Sequence, residues 1–113
     1  MVIRNEQVAG HEFLRDMAGD PYYPAHLVER GRAALRTLCE RIESERPSGL
    51  PELYALTYAA TEEFNRLGEA MEDAGSEIET VAREAIGADF AFVAAAYGFA
   101  GADREELVAP RDW

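Results

Sequence analysis

Lysine is absent from this sequence of 113 residues, and its eleven positive charges are all arginine. Aspartate and glutamate together number 22, so the formal net charge is −11 at pH 7. A surface this negative repels nucleic-acid phosphates and anionic lipid headgroups, and we therefore expect neither nucleic-acid binding nor membrane binding. The charge favours a basic protein partner, although it also has a simpler explanation, which is solubility.

Cysteine and histidine are scarce. Cys39 is the one cysteine, so no internal disulfide is expected, and a reducing cytoplasm fits this usage. His11 and His26 stand in neither H-x-x-x-H nor Glu-x-x-His spacing, so we expect no metal site. No cofactor motif, glycine-rich phosphate loop or G-x-S-x-G elbow is present either. The sequence therefore identifies no reaction.

Long hydrophobic runs are also missing. The longest apolar stretch, residues 90–102, falls short of the ~20 residues that a membrane span needs. The N-terminal residues contain no apolar core of a signal peptide, and they carry Glu6 and Glu12. We therefore expect a cytoplasmic protein.

Apolar residues recur every three or four positions through most of the chain, and no stretch has the two-residue period of a strand. The pattern predicts an all-α fold, an antiparallel helical bundle of three long helices plus short N- and C-terminal helices. The short helices are expected at 11–18 and from Asp103. The long ones are expected at 24–45, 51–74 and 76–97. Residues 1–113 form a single domain in this prediction, with 1–12 as a candidate flexible extension.

The last long helix, Ser76–Tyr97, is predicted to be the central one. Ser76-Glu77-Ile78-Glu79 matches the S-x-x-E capping box that opens a helix. When the helix is wound at about 100° per residue, one of its faces is an apolar arc. The face opposite this arc carries only glycine and alanine from Gly87 on, so burial of the helix on nearly every side is expected. The arc consists of Ile78, Val81, Ala82, Ala85, Ile86, Phe92, Val93 and Ala96.

Asp89 lies close to the centre of this apolar arc and is the one catalytic candidate. Burial disfavours the charged form of a carboxyl group, which suits a general acid or base. Two structural alternatives compete with that role. Gly87-Ala88 could break the helix and make Asp89 an N-cap. Otherwise Tyr58, Thr61 or an arginine of a neighbouring helix could hold it as a polar group of the core.

A half-polar stripe, Tyr54, Tyr58, Thr61 and Asn65, flanks the apolar seam of the preceding helix. It is interpreted either as the lining of a pocket or as the rim of a helix–helix interface. In the first case Tyr54, Tyr58 and Thr61 would bind a ligand together with Asp89. Aromatic residues at loops and at the terminus, such as Trp113, serve either as binding anchors or as covers for the bundle ends.

Five segments of the chain resemble a known protein family. They are Pro-Tyr-Tyr-Pro-Ala-His-Leu-Val-Glu-Arg-Gly (21–31), Leu-Thr-Tyr-Ala-Ala-Thr-Glu-Glu-Phe-Asn (56–65), Gly-Ser-Glu-Ile-Glu-Thr-Val-Ala-Arg-Glu (75–84), Ala-Tyr-Gly-Phe (96–99) and Arg-Asp-Trp (111–113). The family consists of short acidic bacterial proteins and is catalogued only as a domain of unknown function. The resemblance spans residues 13–113 and implies a bacterial, single-domain, mostly helical protein. It implies no reaction and no site.

Two hypotheses about function follow. The first is a non-enzymatic interaction protein that binds a basic partner, one version being an inhibitor or immunity-type protein. The second is a small enzyme or ligand-binding domain with a pocket around Asp89, Tyr58 and Thr61. A homodimer is a third, purely structural, possibility.

Overall fold

Helices are the only regular elements in residues 2–113, which a computed structural model describes. The chain order is α1 (Glu6–Ala9), α2 (Arg15–Ala18), α3 (Ala25–Glu45), α4 (Leu50–Asp73), α5 (Thr80–Ala96) and α6 (Arg104–Leu107). The three long helices and the short helices at both ends confirm the predicted all-α fold.

α3 and α4 pack along each other across a short connection, residues 46–49, and form the main pair of the bundle. Pro24 is the N-cap of α3, and Arg46, in a left-handed conformation at φ 49°, ends it before Pro47. The apolar residues of α3 that recur every three or four positions form one stripe, and all of them are buried. These residues are Leu27, Val28, Gly31, Ala34, Leu35, Leu38, Cys39 and Ile42.

The capping-box prediction for Ser76–Glu79 is wrong, because α5 begins at Thr80. Gly75, with φ +84°, and Ser76 instead end α4. Their amides donate to the carbonyls of Glu72 and Met71, which is the Schellman arrangement. The Ser76 amide therefore belongs to the end of α4, and the buried Ser76 Oγ has no hydrogen-bond partner among residues 2–113, so Ser76 does not cap α5.

α5 is also less enclosed than its sequence predicts. It packs against α1, α2, α3 and α6, and Phe90 meets Phe64 of α4 with ring centroids 5.8 Å apart. However, Ala88 and Ala95 are exposed, and Val81, placed in the apolar arc, is 53% exposed. Val81 is exposed because α5 begins only at Thr80. The extended residues before Thr80 place Ile78 in the core instead of Val81.

Residues 3–14, which we call the N-terminal segment, contact the bundle. Val8 is buried, and the Asn5 side-chain amide donates a 2.8 Å hydrogen bond to the Ala96 carbonyl at the end of α5. The helix predicted over residues 11–18 is shorter, because Leu14 adopts a left-handed conformation at φ 55° and only α2 follows it.

The C-terminal segment closes the other side of the bundle. Asp103 caps α6 by accepting a hydrogen bond from the Glu105 amide, as its sequence predicts. Leu107 and Val108 are buried, and Trp113 packs near Phe64, with ring centroids 6.4 Å apart. The two ends of the chain therefore complete the core that the three long helices begin.

Candidate functional site

Asp89 lies on α5 with 8% of its surface exposed, and the N-terminal segment supplies its partners. One carboxylate oxygen, Oδ1, lies 2.8 Å from His11 Nε2. The other, Oδ2, accepts a 2.7 Å hydrogen bond from the Leu14 backbone N–H. In the sequence, His11 precedes Asp89 by 78 positions and Leu14 precedes it by 75 positions. Asp89 therefore holds the N-terminal segment against α5.

One of the two structural alternatives for Asp89 is wrong. α5 runs without a break from Thr80 to Ala96, so Asp89 caps no second helix half. Asp89 is instead a buried polar group, as the other alternative predicts, but Tyr58, Thr61 and arginine are not among its hydrogen-bond partners within residues 2–113. Its partner His11 lies in the candidate extension 1–12, and its partner Leu14 lies in the helix predicted at 11–18.

The His11 ring is fixed on both sides. It stacks on Phe92 at a centroid distance of 3.9 Å and meets Phe13 edge-on at 4.9 Å. A cleft of about 480 Å³ opens beside it, with Arg15 among its lining residues. A carboxylate that holds an imidazole suits it to proton transfer. However, the described residues that line this cleft include no serine, threonine or cysteine to act as a nucleophile.

Tyr54 and Tyr58 face the C-terminal segment and not Asp89. The Tyr58 hydroxyl donates a 2.7 Å hydrogen bond to Glu106, and the Tyr54 hydroxyl accepts one of 3.1 Å from the Asp103 N–H. The hydrogen bond to Glu106, with a smaller contribution from burial, raises the pKa of Tyr58. Both hydroxyls are therefore engaged in anchoring α6.

Thr61 and Asn65 continue the same contact. The Thr61 hydroxyl lies 3.3 Å from the Leu107 carbonyl. The Asn65 side chain donates to the Pro110 carbonyl and accepts from the Asp112 N–H, at 3.1 and 3.0 Å. The half-polar stripe is therefore an interface with the C-terminal segment. The structure does not bring it together with Asp89, whose cleft has none of these residues in its lining.

A second cleft, which was not predicted from the sequence, lies at the C-terminal end of α4. Its volume is about 460 Å³, and we call it the acidic cleft. Four carboxylates line it together with Trp113, and one cation, Arg83, is among the lining residues. The carboxylates are those of Glu69, Glu72, Glu77 and Asp112. Within residues 2–113 none of these four side chains forms a hydrogen bond or an ion pair.

The helix end makes these charges unfavourable for stability. Glu72 and Asp73 occupy the last turn of α4, Glu69 precedes them by one turn, and the last turn has no basic residue. The C-terminal end of a helix carries a partial negative charge, so Glu72 and Asp73, in the last turn, each destabilise the helix by about 0.3–1 kcal/mol. This signal is visible in the sequence, since Gly75 marks the helix end.

Trp113 forms one wall of the acidic cleft. The Arg111 guanidinium lies 5.4 Å from the centre of its ring. Its indole Nε1 is buried and has no hydrogen-bond partner in the part of the chain that the structure describes. An indole N–H usually finds a partner when it is buried.

A polar junction beneath the N-terminal segment also went unnoticed in the sequence. Glu43 accepts hydrogen bonds from the backbone N–H groups of Arg4 and Asn5 and from the Tyr97 hydroxyl. Burial acts to raise the pKa of Glu43, but these hydrogen bonds outweigh it and lower the pKa. Burial raises the pKa of the neighbouring Cys39 thiol to about 12, so the thiol stays protonated and unreactive.

We predict that Glu43→Gln reveals this junction through pH. Because folding lowers the pKa of Glu43, its stabilisation is present above the unfolded pKa of ~4.3 and is lost as pH falls through the folded value. Chemical denaturation at pH 7 should show the variant less stable by roughly 1–2 kcal/mol. That difference should shrink as pH falls from 5 towards 3, and a constant difference would contradict the assignment.

Residues 2–113 contain neither a grouped set of metal ligands nor a helix that could span a membrane. Among residues 2–113, no three His, Cys, Asp or Glu side chains are grouped so that they could hold a metal ion. None of the helices in that range is both long enough and apolar enough to cross a membrane.

The family comparison bears on residues 7–113, which include His11, Asp89 and the whole acidic cleft. Over that range the sequence matches the model of a family of unknown function, DUF5713. The chain belongs to DUF5713. This membership confirms the predicted resemblance to a family of unknown function. Neither the curated proteins nor the solved structures contain a match to this DUF5713 chain.

Proposed function

We propose that this DUF5713 protein is a non-enzymatic interaction protein of the bacterial cytoplasm that binds a basic segment of a partner protein in the acidic cleft. One observation supports this most strongly. Four carboxylates with no partner in residues 2–113 gather beside the end of α4, and one of them, Glu72, lies in the last turn, where a negative charge lowers the stability of the helix. Features that reduce stability without a structural return are typical of functional surfaces.

The chemistry of the cleft suits an arginine or lysine side chain. Glu69, Glu72, Glu77 and Asp112 supply acceptors, and the carbonyl end of α4 adds its own negative potential. The Trp113 ring offers a face for a cation, which Arg111 already approaches. The net charge of −11 would steer a basic partner towards the protein. An inhibitor or immunity-type role is one form of this function.

The same charge argues against nucleic acid and membranes as partners. A homodimer stays a prediction. Among residues 2–113, the large apolar side chains that are exposed, Val2, Tyr22 and Val81, lie in three different segments. Sedimentation equilibrium across a range of protein concentrations would test self-association.

The alternative function is a small enzyme or ligand-binding domain with a pocket around Asp89, Tyr58 and Thr61. The cleft beside His11 and Asp89 supports it, but Tyr58 and Thr61 contribute to a different surface. A ligand for this site would have to act through His11, Asp89 and Arg15.

Affinity capture at two salt concentrations tests the proposed function. The purified protein should retain basic proteins from a lysate of its source cells at low salt, and high salt should release them, because exposed charges are screened within a Debye length of about 8–10 Å. Failure to retain any protein at low salt would contradict the proposal. Retention that is independent of salt would also contradict it.

A further inference from the structure

A groove between α3 and α4 has the opposite character to the acidic cleft. Its volume is about 370 Å³, at the lower end of the range for small-molecule sites. Alanines of both helices form much of its surface, with Leu38 and Leu56 buried beside them. The alanines are Ala33, Ala34, Ala59 and Ala60. Ala33 and Ala59 are exposed, so the groove is open to solvent.

Arginines surround this apolar surface. Arg30, Arg41 and Arg66 line the groove together with one acidic residue, Glu63. Arg41 is paired at 2.8 Å with Glu45, which is not a lining residue. The two positive charges that face Glu63 are therefore those of Arg30 and Arg66. This concentration of positive charge stands out in a chain whose net charge is −11. The groove thus combines an apolar surface with a cationic rim.

Glu63 shows how the rim can hold a carboxylate. Its side chain accepts a 3.0 Å hydrogen bond from Arg30 Nε and, through its other oxygen, a 2.9 Å bond from Arg66 Nε. Arg66 Nη2 lies 2.8 Å from that second oxygen. Two guanidinium groups therefore converge on one carboxylate at the groove edge, a geometry that arginine forms readily. The side chains of Arg30, Arg66 and Glu63 are 41%, 59% and 30% exposed, so a carboxylate in solution can reach both guanidinium groups.

We propose that the groove between α3 and α4 binds a small carboxylic acid with an apolar body. The apolar body would cover the alanines, and the carboxylate would take the place of Glu63 between Arg30 and Arg66. A monoanion fits better than an acidic peptide, because the net charge of −11 repels a partner with many negative charges more strongly. This site is separate from the acidic cleft, and its occupancy is independent of the proposed function.

Decanoate, used below its micelle concentration, is the probe for this site. Titration followed by amide chemical shifts should show saturable binding, with the largest shifts at Ala33, Ala59 and Thr37 around the groove. Decanamide, which has the same apolar body without the charge, should bind about tenfold more weakly. Failure of decanoate to bind, or shifts centred elsewhere, would overturn the proposal. Equal affinity for decanamide would also overturn it.

Substitutions at the rim test the carboxylate position in opposite directions. Arg30→Gln with Arg66→Gln should weaken decanoate binding about tenfold or more, whereas Glu63→Gln should strengthen it severalfold by freeing both guanidinium groups. The matched control is Arg36→Gln with Arg46→Gln, which changes the net charge equally at exposed positions outside the groove, the acidic cleft and the cleft beside His11. Its affinity should equal that of the wild type.

Two outcomes of these variants would contradict the site. One is unchanged affinity in the double variant at Arg30 and Arg66. The other is an equal loss of affinity in the control, because that would show a response to net charge alone. Thermal unfolding of each variant verifies that the fold is retained. If an acidic peptide, and not decanoate, shifted the groove resonances, the ligand class would be wrong.

Discussion

Replacing Asp89 with alanine should lower the free energy of unfolding by about 3 kcal/mol, the largest effect expected of any polar substitution in this chain. The variant leaves the Leu14 N–H and the His11 ring without their acceptor in a region that is mostly buried. For a domain near 100 residues, this loss corresponds to a fall in melting temperature of roughly 15 °C. Thermal and urea denaturation would measure both quantities.

Companion variants separate the carboxylate from simple loss of packing. Asp89→Asn keeps one acceptor oxygen and should fall between alanine and the wild type. His11→Ala combined with Asp89→Ala should be less destabilising than the sum of the single changes, because the two residues share one interaction. Hydrogen exchange at the Leu14 amide should accelerate in every Asp89 variant. A loss of stability below about 0.5 kcal/mol in Asp89→Ala would refute this role.

The second large effect concerns binding. A cleft variant with Glu69→Gln, Glu72→Gln and Glu77→Gln should bind a captured basic partner at least tenfold more weakly at low salt, since three exposed ion pairs contribute up to about 1 kcal/mol each. The same variant should be more stable than the wild type by about 0.3–1 kcal/mol, because the Glu72 carboxylate leaves the last turn of α4. Weaker binding with higher stability is the signature of a functional surface.

A control variant with the same net charge distinguishes the cleft from the whole surface. Glu6→Gln, Glu52→Gln and Glu62→Gln also remove three negative charges, at exposed positions outside the acidic cleft. Glu6 and Glu52 lie in the first turns of α1 and α4, where acids are favourable, so this control should lose a little stability. It should keep most of its affinity for the partner. Equal losses of affinity in both variants would mean that binding depends on overall charge alone.

The long helices could be predicted from the sequence because their signals are local. The buried face of α3 follows from apolar spacing, and the ends of α3 and α4 follow from Pro47 and Gly75. The start of α5 could not be predicted in the same way. Ser76 matches the pattern of a helix start, but the end of α4 already uses its amide. The same residues carry the pattern of a helix start and the pattern of a helix end, and in the structure they form the end of α4.

The candidate sites were harder to predict because their parts are far apart in the chain. Asp89 was recognisable as a carboxylate on an apolar face, but its partner His11 lies 78 positions away. Tyr58 was placed on the correct flank of α4, yet its partner, Glu106, belongs to the C-terminal segment. No spacing rule connects such pairs, since only packing of the chain ends against the bundle brings them together.

The acidic cleft combines both kinds of information. The charges at the end of α4 are visible in the sequence, whereas the arrival of Asp112 and Trp113 beside them depends on the contacts of Asn65 with the C-terminal segment. We propose that this cleft binds a basic segment of the partner. Trp113 lines the cleft and is the one tryptophan of the chain, so its indole signal can report this binding.

The most direct test is the indole N–H resonance of Trp113 during titration with the basic partner obtained by affinity capture. We predict a saturable shift of this signal in the wild type and in the control variant at Glu6, Glu52 and Glu62. In the cleft variant at Glu69, Glu72 and Glu77, the same shift should require at least a tenfold higher partner concentration. A partner that binds while the Trp113 signal stays in place would contradict the proposed binding in the acidic cleft.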